Sequence, residues 1–163
     1  MKPEAFDSPY NNEASIDLLQ KLNTPQFTDN EISTFSPEIA VAVRSNQTDL
    51  ASNPVVAIRR MAAEGSQSKL GGTILKGSSG LTITLRNGTK VTVATVGDRV
   101  KYPNGKTARI TTGAGRENFN VALVGSRLEN GDEIVNTPQD VALITIRQHT
   151  LLEGDFLPGS ADE

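Results

Sequence analysis

The chain has 163 residues, a formal net charge of −3, 36% hydrophobic and 4% aromatic residues, no cysteine and one histidine, His149. The missing thiol excludes disulfides, thiolate-held metals and a cysteine nucleophile, and a single imidazole excludes any site that needs two from one chain. The scarcity of aromatics argues against base-stacking platforms, and the negative balance offers no overall attraction to phosphate backbones.

The length suggests one domain with an appendage. The opening MKPEAFDSPYNN lacks a basic region followed by an apolar one, so a secretory signal is not expected. The apolar runs are too short to cross a bilayer of ~30 Å. All 14 glycines lie at or after Gly65. Charge changes sign at the same place: residues 1–66 are acidic on balance, 67–144 basic and 145–163 acidic. We therefore divide the chain into an N-terminal extension of short helices (1–66), a β domain (67–144), and a C-terminal strand with an acidic tail (145–163).

In the extension, Ile16, Leu18, Leu19 and Leu22 share one side of a short helix that Thr24-Pro25 ends. Ser36-Pro37-Glu38 supplies a cap, a first-turn proline and a first-turn acid, although IAVAV after it also alternates like a strand. Asn53-Pro54 reads as another helix start, before VVAIRRMAAE and a terminating Gly65, and residues 65–69 read as a linker. Beyond it, Leu81, Ile83 and Leu85 alternate with polar residues, and Asn87-Gly88 signals a hairpin with positive φ at both central residues. Short runs at TKVTVATV, TARITT, NVALVGS, DEIVN and VALITIR, separated by glycine turns, make the middle all-β.

Self-comparison finds a repeat. VATVGDRVKYPNGKTARI (93–110) recurs as VALVGSRLENGDEI (121–134), with Asn104-Gly105 matching Asn130-Gly131 after a gap at Tyr102-Pro103. Val93, Val96, Val121 and Val124 are the expected core. Gly97, Gly105, Gly125 and Gly131 are the expected backbone-enabling turn residues.

The order GGTILKGSSGLTITLRNG, VATVGDRVKYPNGKTARITTG, VALVGSRLENGDEIVNTPQ resembles the PAAR-repeat proteins, the tips of spikes in contractile phage tails and type VI secretion systems. Gly77-Ser78 fits the family's Gly-Ser element, Asn87-Gly88 its first turn, and Val93 to Asp98 its Val-Gly-Asp element. The resemblance covers residues 71–140. It implies a mainly β fold, a short-stranded, PAAR-like conical β domain carrying a partly helical N-terminal extension. It also implies a non-enzymatic structural role, one copy capping a trimeric central spike in a phage tail baseplate or secretion machine and touching the target envelope transiently. The extension would meet other baseplate proteins or cargo, and no nucleic acid is expected. The family usually holds zinc with three His and one Cys. The matching turn here reads Tyr102-Pro103-Asn104-Gly105, so no metal or cofactor is expected, with Tyr102 and apolar neighbours filling the place of the metal cluster.

Other chemistry is weaker. His149 in VALITIRQHT reads as a surface or sheet-edge residue rather than half of a hydrolytic pair. Residues 75–80 and 113–117 are glycine-rich but lack GxxxxGK[ST]. Asp98, Glu129, Asp132, Glu133 and Asp140 do not have calcium-loop spacing and read as turn acids. Lys76, Arg86, Lys90, Arg99, Lys101, Lys106 and Arg109 make the middle basic. They read as a solvated surface, with acidic lipid headgroups as a further use, and a small β-barrel binding module is the alternative reading.

Overall fold

The structure, a computed structural model, describes residues 8–157. The first seven residues of the opening segment and the last six of the acidic tail lie outside the described residues. Among the described residues the fold is mainly sheet, with several small antiparallel sheets and few helices. It divides into two compact units.

The first unit comprises residues 13–58 and 145–151. Helix α1 (Ile16–Asn23) starts at Ser15, whose hydroxyl accepts from Leu18 N, and ends at Thr24 before Pro25. The single turn α2 (Asp29–Ile32) is closed by reciprocal bonds between Thr28 and Glu31. Helix α3 (Pro37–Ser52) begins at Ser36, as the cap and proline suggested, and resolves IAVAV as helix. Arg44 pairs with Asp29 at 3.0 Å, and Phe27 meets Phe35 edge to face.

Asn53-Pro54 does not start a helix. Asn53 closes α3, and strand β1 (Val55–Arg60) follows, which suits its β-branched residues. The Asn53 side chain is spent on the returning chain: Oδ1 accepts from His149 N (2.6 Å) and Nδ2 donates to Thr150 Oγ1 (2.7 Å). Strand β7 (Leu143–Arg147) pairs with β1.

The second unit comprises described residues 8–12, 59–144 and 152–157, so it reaches back well before residue 67. Its strands are β2 (Thr73–Ile74), β3 (Thr82–Thr84), β4 (Lys90–Thr92), β5 (Arg99–Lys101) and β6 (Thr107–Arg109), with β3 on β4 and the order β2-β5-β6.

Strands β2, β5 and β6 belong to three copies of one unit, not two, and the β3-β4 hairpin is inserted between the first copy and the second. Residues 61–74, part of which reads as linker in the sequence, form a first copy ahead of 93–110 and 121–134. Three alanines close a ring of main-chain hydrogen bonds: Ala62 N donates to Ala122 O (2.9 Å), Ala122 N to Ala94 O (2.8 Å) and Ala94 N to Ala62 O (3.0 Å). A second ring runs alongside, with Glu64 N on Thr92 O, Val96 N on Asn120 O and Val124 N on Arg60 O. Further out, Ile74 pairs with Val100, Ile110 with Leu128 and Ile134 with Ser68. Each relation passes from one copy to the next and returns, which defines a pseudo-threefold axis within a single chain.

The core follows the axis. Ala62, Ala94 and Ala122 are buried with Ile74, Ile110, Ile134, Val100 and Leu128 in one cluster. A second cluster holds Val93, Val121, Leu123, Ala63, Ile83 and Val91. Val93, Val121 and Val124 are buried as expected, but Val96 is 37% exposed and lies outside the core. It follows the ring alanine Ala94 by two, as the buried Val124 follows Ala122. In the first copy the same place holds Glu64, whose carboxylate accepts from Gly77 N and Thr92 N.

Each copy turns sharply at Gly65, Gly97 or Gly125 (φ 97°, 101° and 108°), where the amide donates to the copy's closing isoleucine carbonyl. The hairpins also share one form. In the loops ending at Gly71, Gly88, Gly105 and Gly131 only the glycine has positive φ, so the Asn-Gly turns are not the doubly positive type expected. They are three-residue loops with a glycine bulge, in which Asn87, Asn104 and Asn130 Oδ1 each accept from the amide two residues on.

Glycine tolerance is therefore position-specific. A Cβ on Gly77 would stand 2.3 Å from Thr92 O, whereas one on Gly88 meets nothing within 4 Å. Gly77→Ala is expected to cost about 3 kcal/mol through forced backbone movement. Gly88→Ala is expected to cost about 1–2 kcal/mol through its φ alone. Thermal melts of the two variants check the order.

Candidate functional site

The three copies end in turns at one end of the axis, around Gly71, Gly105 and Gly131. The second copy's hairpin is longer: Arg99 pairs with Arg109, where the equivalent pairs are Gln67 with Thr73 and Arg127 with Glu133. The extra residues lie on both strands, two before and two after the Asn-Gly turn, so the sequence alignment missed the second half of the insertion. Tyr102 sits in this overhang and packs against the axial cluster.

Its phenol ties the copies together. Tyr102 OH donates to Asp132 Oδ2 (2.5 Å) and accepts from Asn130 Nδ2 (3.1 Å). Asp132 is only 2% exposed, and its Oδ1 accepts from Leu70 N (3.0 Å) and Glu133 N (2.7 Å). Ser68 also bonds this carboxylate, and its hydroxyl accepts from Gly72 N (2.8 Å). One buried carboxylate of the third copy thus gathers donors from the first, second and third.

Burial alone would raise the Asp132 pKa, but hydrogen bonds from Ser68, Tyr102 and the Glu133 and Leu70 amides outweigh it, and the group sits below its ordinary 3.8. Burial, and then the bond to Asp132, push the Tyr102 phenol above its ordinary 10.0.

These residues do not fit the zinc of the resembled family. The end turns present Leu70, Asn104 and Asn130, and both oxygens of the one buried carboxylate are occupied by protein donors. Among the described residues no three His, Cys, Asp or Glu side chains gather as a metal site. Tyr102 packs against the axial cluster within a polar network, not among apolar neighbours alone.

The remaining predicted positions serve the backbone. Asp98 locks the second copy's glycine turn: Oδ2 accepts from Thr95 N (2.9 Å) and Ser78 N (3.0 Å), and Oδ1 from Ser78 Oγ (2.6 Å). Ser66 and Ser126 do the same for Ala63 N and Leu123 N. Asn130 and Gly131 reach the Tyr102 network; Asn104 and Gly105 form the neighbouring turn; Gly77, Asn87 and Gly88 lie outside it. Ser68 and Asp132 were missed as partners of Tyr102. A signal for the first copy existed, since Met-Ala-Ala-Glu-Gly-Ser shares alanine, glycine and serine with Val-Ala-Leu-Val-Gly-Ser, and Gly65 precedes Gly71 as Gly125 precedes Gly131.

No protein-family model, curated protein or solved structure matches the chain.

Tyr102→Phe removes one donor from a buried carboxylate and is expected to cost about 1–2 kcal/mol near neutral pH. Asp132, depressed in the fold, contributes stability that is present above its ordinary pKa and is lost as pH falls through its folded value. Tyr102, raised in the fold, contributes stability that is present below pH 10 and is lost as pH rises through its folded value. Melts across pH should show the variant with a flatter acid limb and no Tyr102-linked loss on the alkaline side. A chelator should change neither melt.

Proposed function

We propose that this protein is a structural spike tip, a PAAR-like conical cap on the trimeric central spike of a contractile phage tail or related injection machine. The observation that carries the reading is the closed pseudo-threefold of main-chain hydrogen bonds through Ala62, Ala94 and Ala122. A single chain with three near-equivalent arms can meet a threefold partner in register, which an asymmetric fold cannot. Short strands and glycine-directed turns leave few loops to yield under axial load.

Docking uses the end of the axis where the copies begin. Phe119, two residues before the third copy, is exposed and held in the left-handed region at φ 57°. An apolar side chain kept out in a strained conformation suits an anchor for a partner surface. Residues 13–58 then serve as a second contact, with other baseplate proteins.

Native mass spectrometry of the chain mixed with the trimeric spike of its own particle is expected to give one chain per trimer. Phe119→Ala should weaken that complex about tenfold or more. Failure of the wild-type chain to bind, or three chains per trimer, overturns the reading.

A further inference from the structure

The pseudo-threefold gives three equivalent outer faces, and they do not carry equivalent charge. At the outward pair beside each glycine turn, the first copy sets Gln67 opposite Thr73 and the third sets Arg127 opposite Glu133. The second sets Arg99 opposite Arg109. Like charges directly opposed across an antiparallel pair destabilise it, so the same scaffold carries a neutral pair, a complementary pair and a repulsive pair.

Among the described residues nothing relieves the repulsive pair. Arg99 Nη1 reaches only Thr107 Oγ1, at 3.4 Å. Among the described residues no carboxylate lies within ion-pair distance of Arg99, Arg109, Lys101, Lys106 or Lys76. Two acids border this face, and both are engaged with backbone or hydroxyl donors: Asp98 as above, and Glu129, whose Oε2 accepts from Arg109 N (2.9 Å). Val100 and Ala108 point inward and are buried, so Arg99, Lys101 and Arg109 beside them project outward.

Apolar groups stand beside these cations. A concavity of about 430 Å³ is lined by Lys76, Arg99, Lys101 and Thr107 together with Leu75, which is 56% exposed. Leu70, 66% exposed, shares a second hollow with Lys106 and Pro103 near the turns.

We propose that the β2-β5-β6 face binds the surface of an anionic lipid bilayer, its cations meeting headgroup phosphates while Leu75 and Leu70 enter the interface. Cations adjoining exposed leucines favour a bilayer over a nucleic acid, whose backbone would match the charge but leave the leucines in water. A repulsive pair kept where a complementary one fits the same scaffold is a local cost of the kind found at functional surfaces. The inference does not rest on the spike-tip reading, because it concerns the free chain and one face of the sheet.

Co-sedimentation of the full chain with vesicles tests it. Vesicles of equal parts phosphatidylcholine and phosphatidylglycerol are expected to bind the chain, pure phosphatidylcholine vesicles are not, and binding falls with salt. The triple change Arg99→Gln, Lys101→Gln, Arg109→Gln should weaken binding by about fivefold per charge, or about 100-fold. Lys21→Gln, Arg86→Gln, Lys90→Gln, with the same loss of charge elsewhere, should weaken it far less. Arg109→Glu recreates the complementary pair of the third copy, so it should raise the melting temperature while reducing binding; a purely structural role would not move the two apart. Equal binding to both vesicle types, a triple variant that binds like wild type, or duplex DNA that displaces the vesicles at the same salt overturns the proposal.

Discussion

The β unit depends on one closed circuit of hydrogen bonds. Each of three alanine amides donates to the alanine carbonyl of another copy, and the third bond returns to the first. An open row of strands leaves unpaired edges at both ends, whereas a closed one leaves none at this level. Closure also explains the residue: three side chains converge on the axis, and alanine gives the smallest Cβ-bearing one. The isoleucine pairs beyond it then have a fixed spacing to fill, and the glycine turns let each arm fold back within a few residues.

Pseudo-symmetry allows the copies to differ where the backbone does not. At the turns, the extended second hairpin brings Tyr102 to the carboxylate of the third copy and to the serine network of the first. A polar cluster thereby ties three arms that would otherwise end separately. On the outside, the three faces diverge in charge while their inward residues stay apolar. The axis thus carries the constraints of folding, and the outer faces and the turn-bearing end are free to carry binding.

Much of this was legible in the sequence, and the failures have physical causes. Strand alternation and Asn-Gly spacing located the hairpins, the one-sided Ile16, Leu18, Leu19 and Leu22 located α1, and Ser36 with Pro37 located α3, because those signals act within a few residues. The first copy was hidden because two of its apolar positions are replaced: Glu64 stands where the others have valine, and Ser68 stands where they have Val100 and Leu128. Both replacements are polar for a reason visible only in three dimensions, since Glu64 binds the Gly77 and Thr92 amides and Ser68 joins the Asp132 cluster. Val55 to Arg60 read as helix because Asn53-Pro54 looks like a start signal. Here Asn53 ends one helix and binds the returning chain instead. Val96 matches Val124 in the repeat yet is exposed, because equivalent positions on a pseudo-symmetric frame need not be equally covered.

Native-state hydrogen exchange at the amides of Ala62, Ala94 and Ala122 tests the closed ring most directly. If the ring is a single cooperative element, the three amides exchange at one common slow rate, set by global unfolding of the β unit. Rapid exchange at Ala62 while Ala94 and Ala122 stay protected would contradict it, because residues 61–65 would then be a linker laid against a two-copy fold.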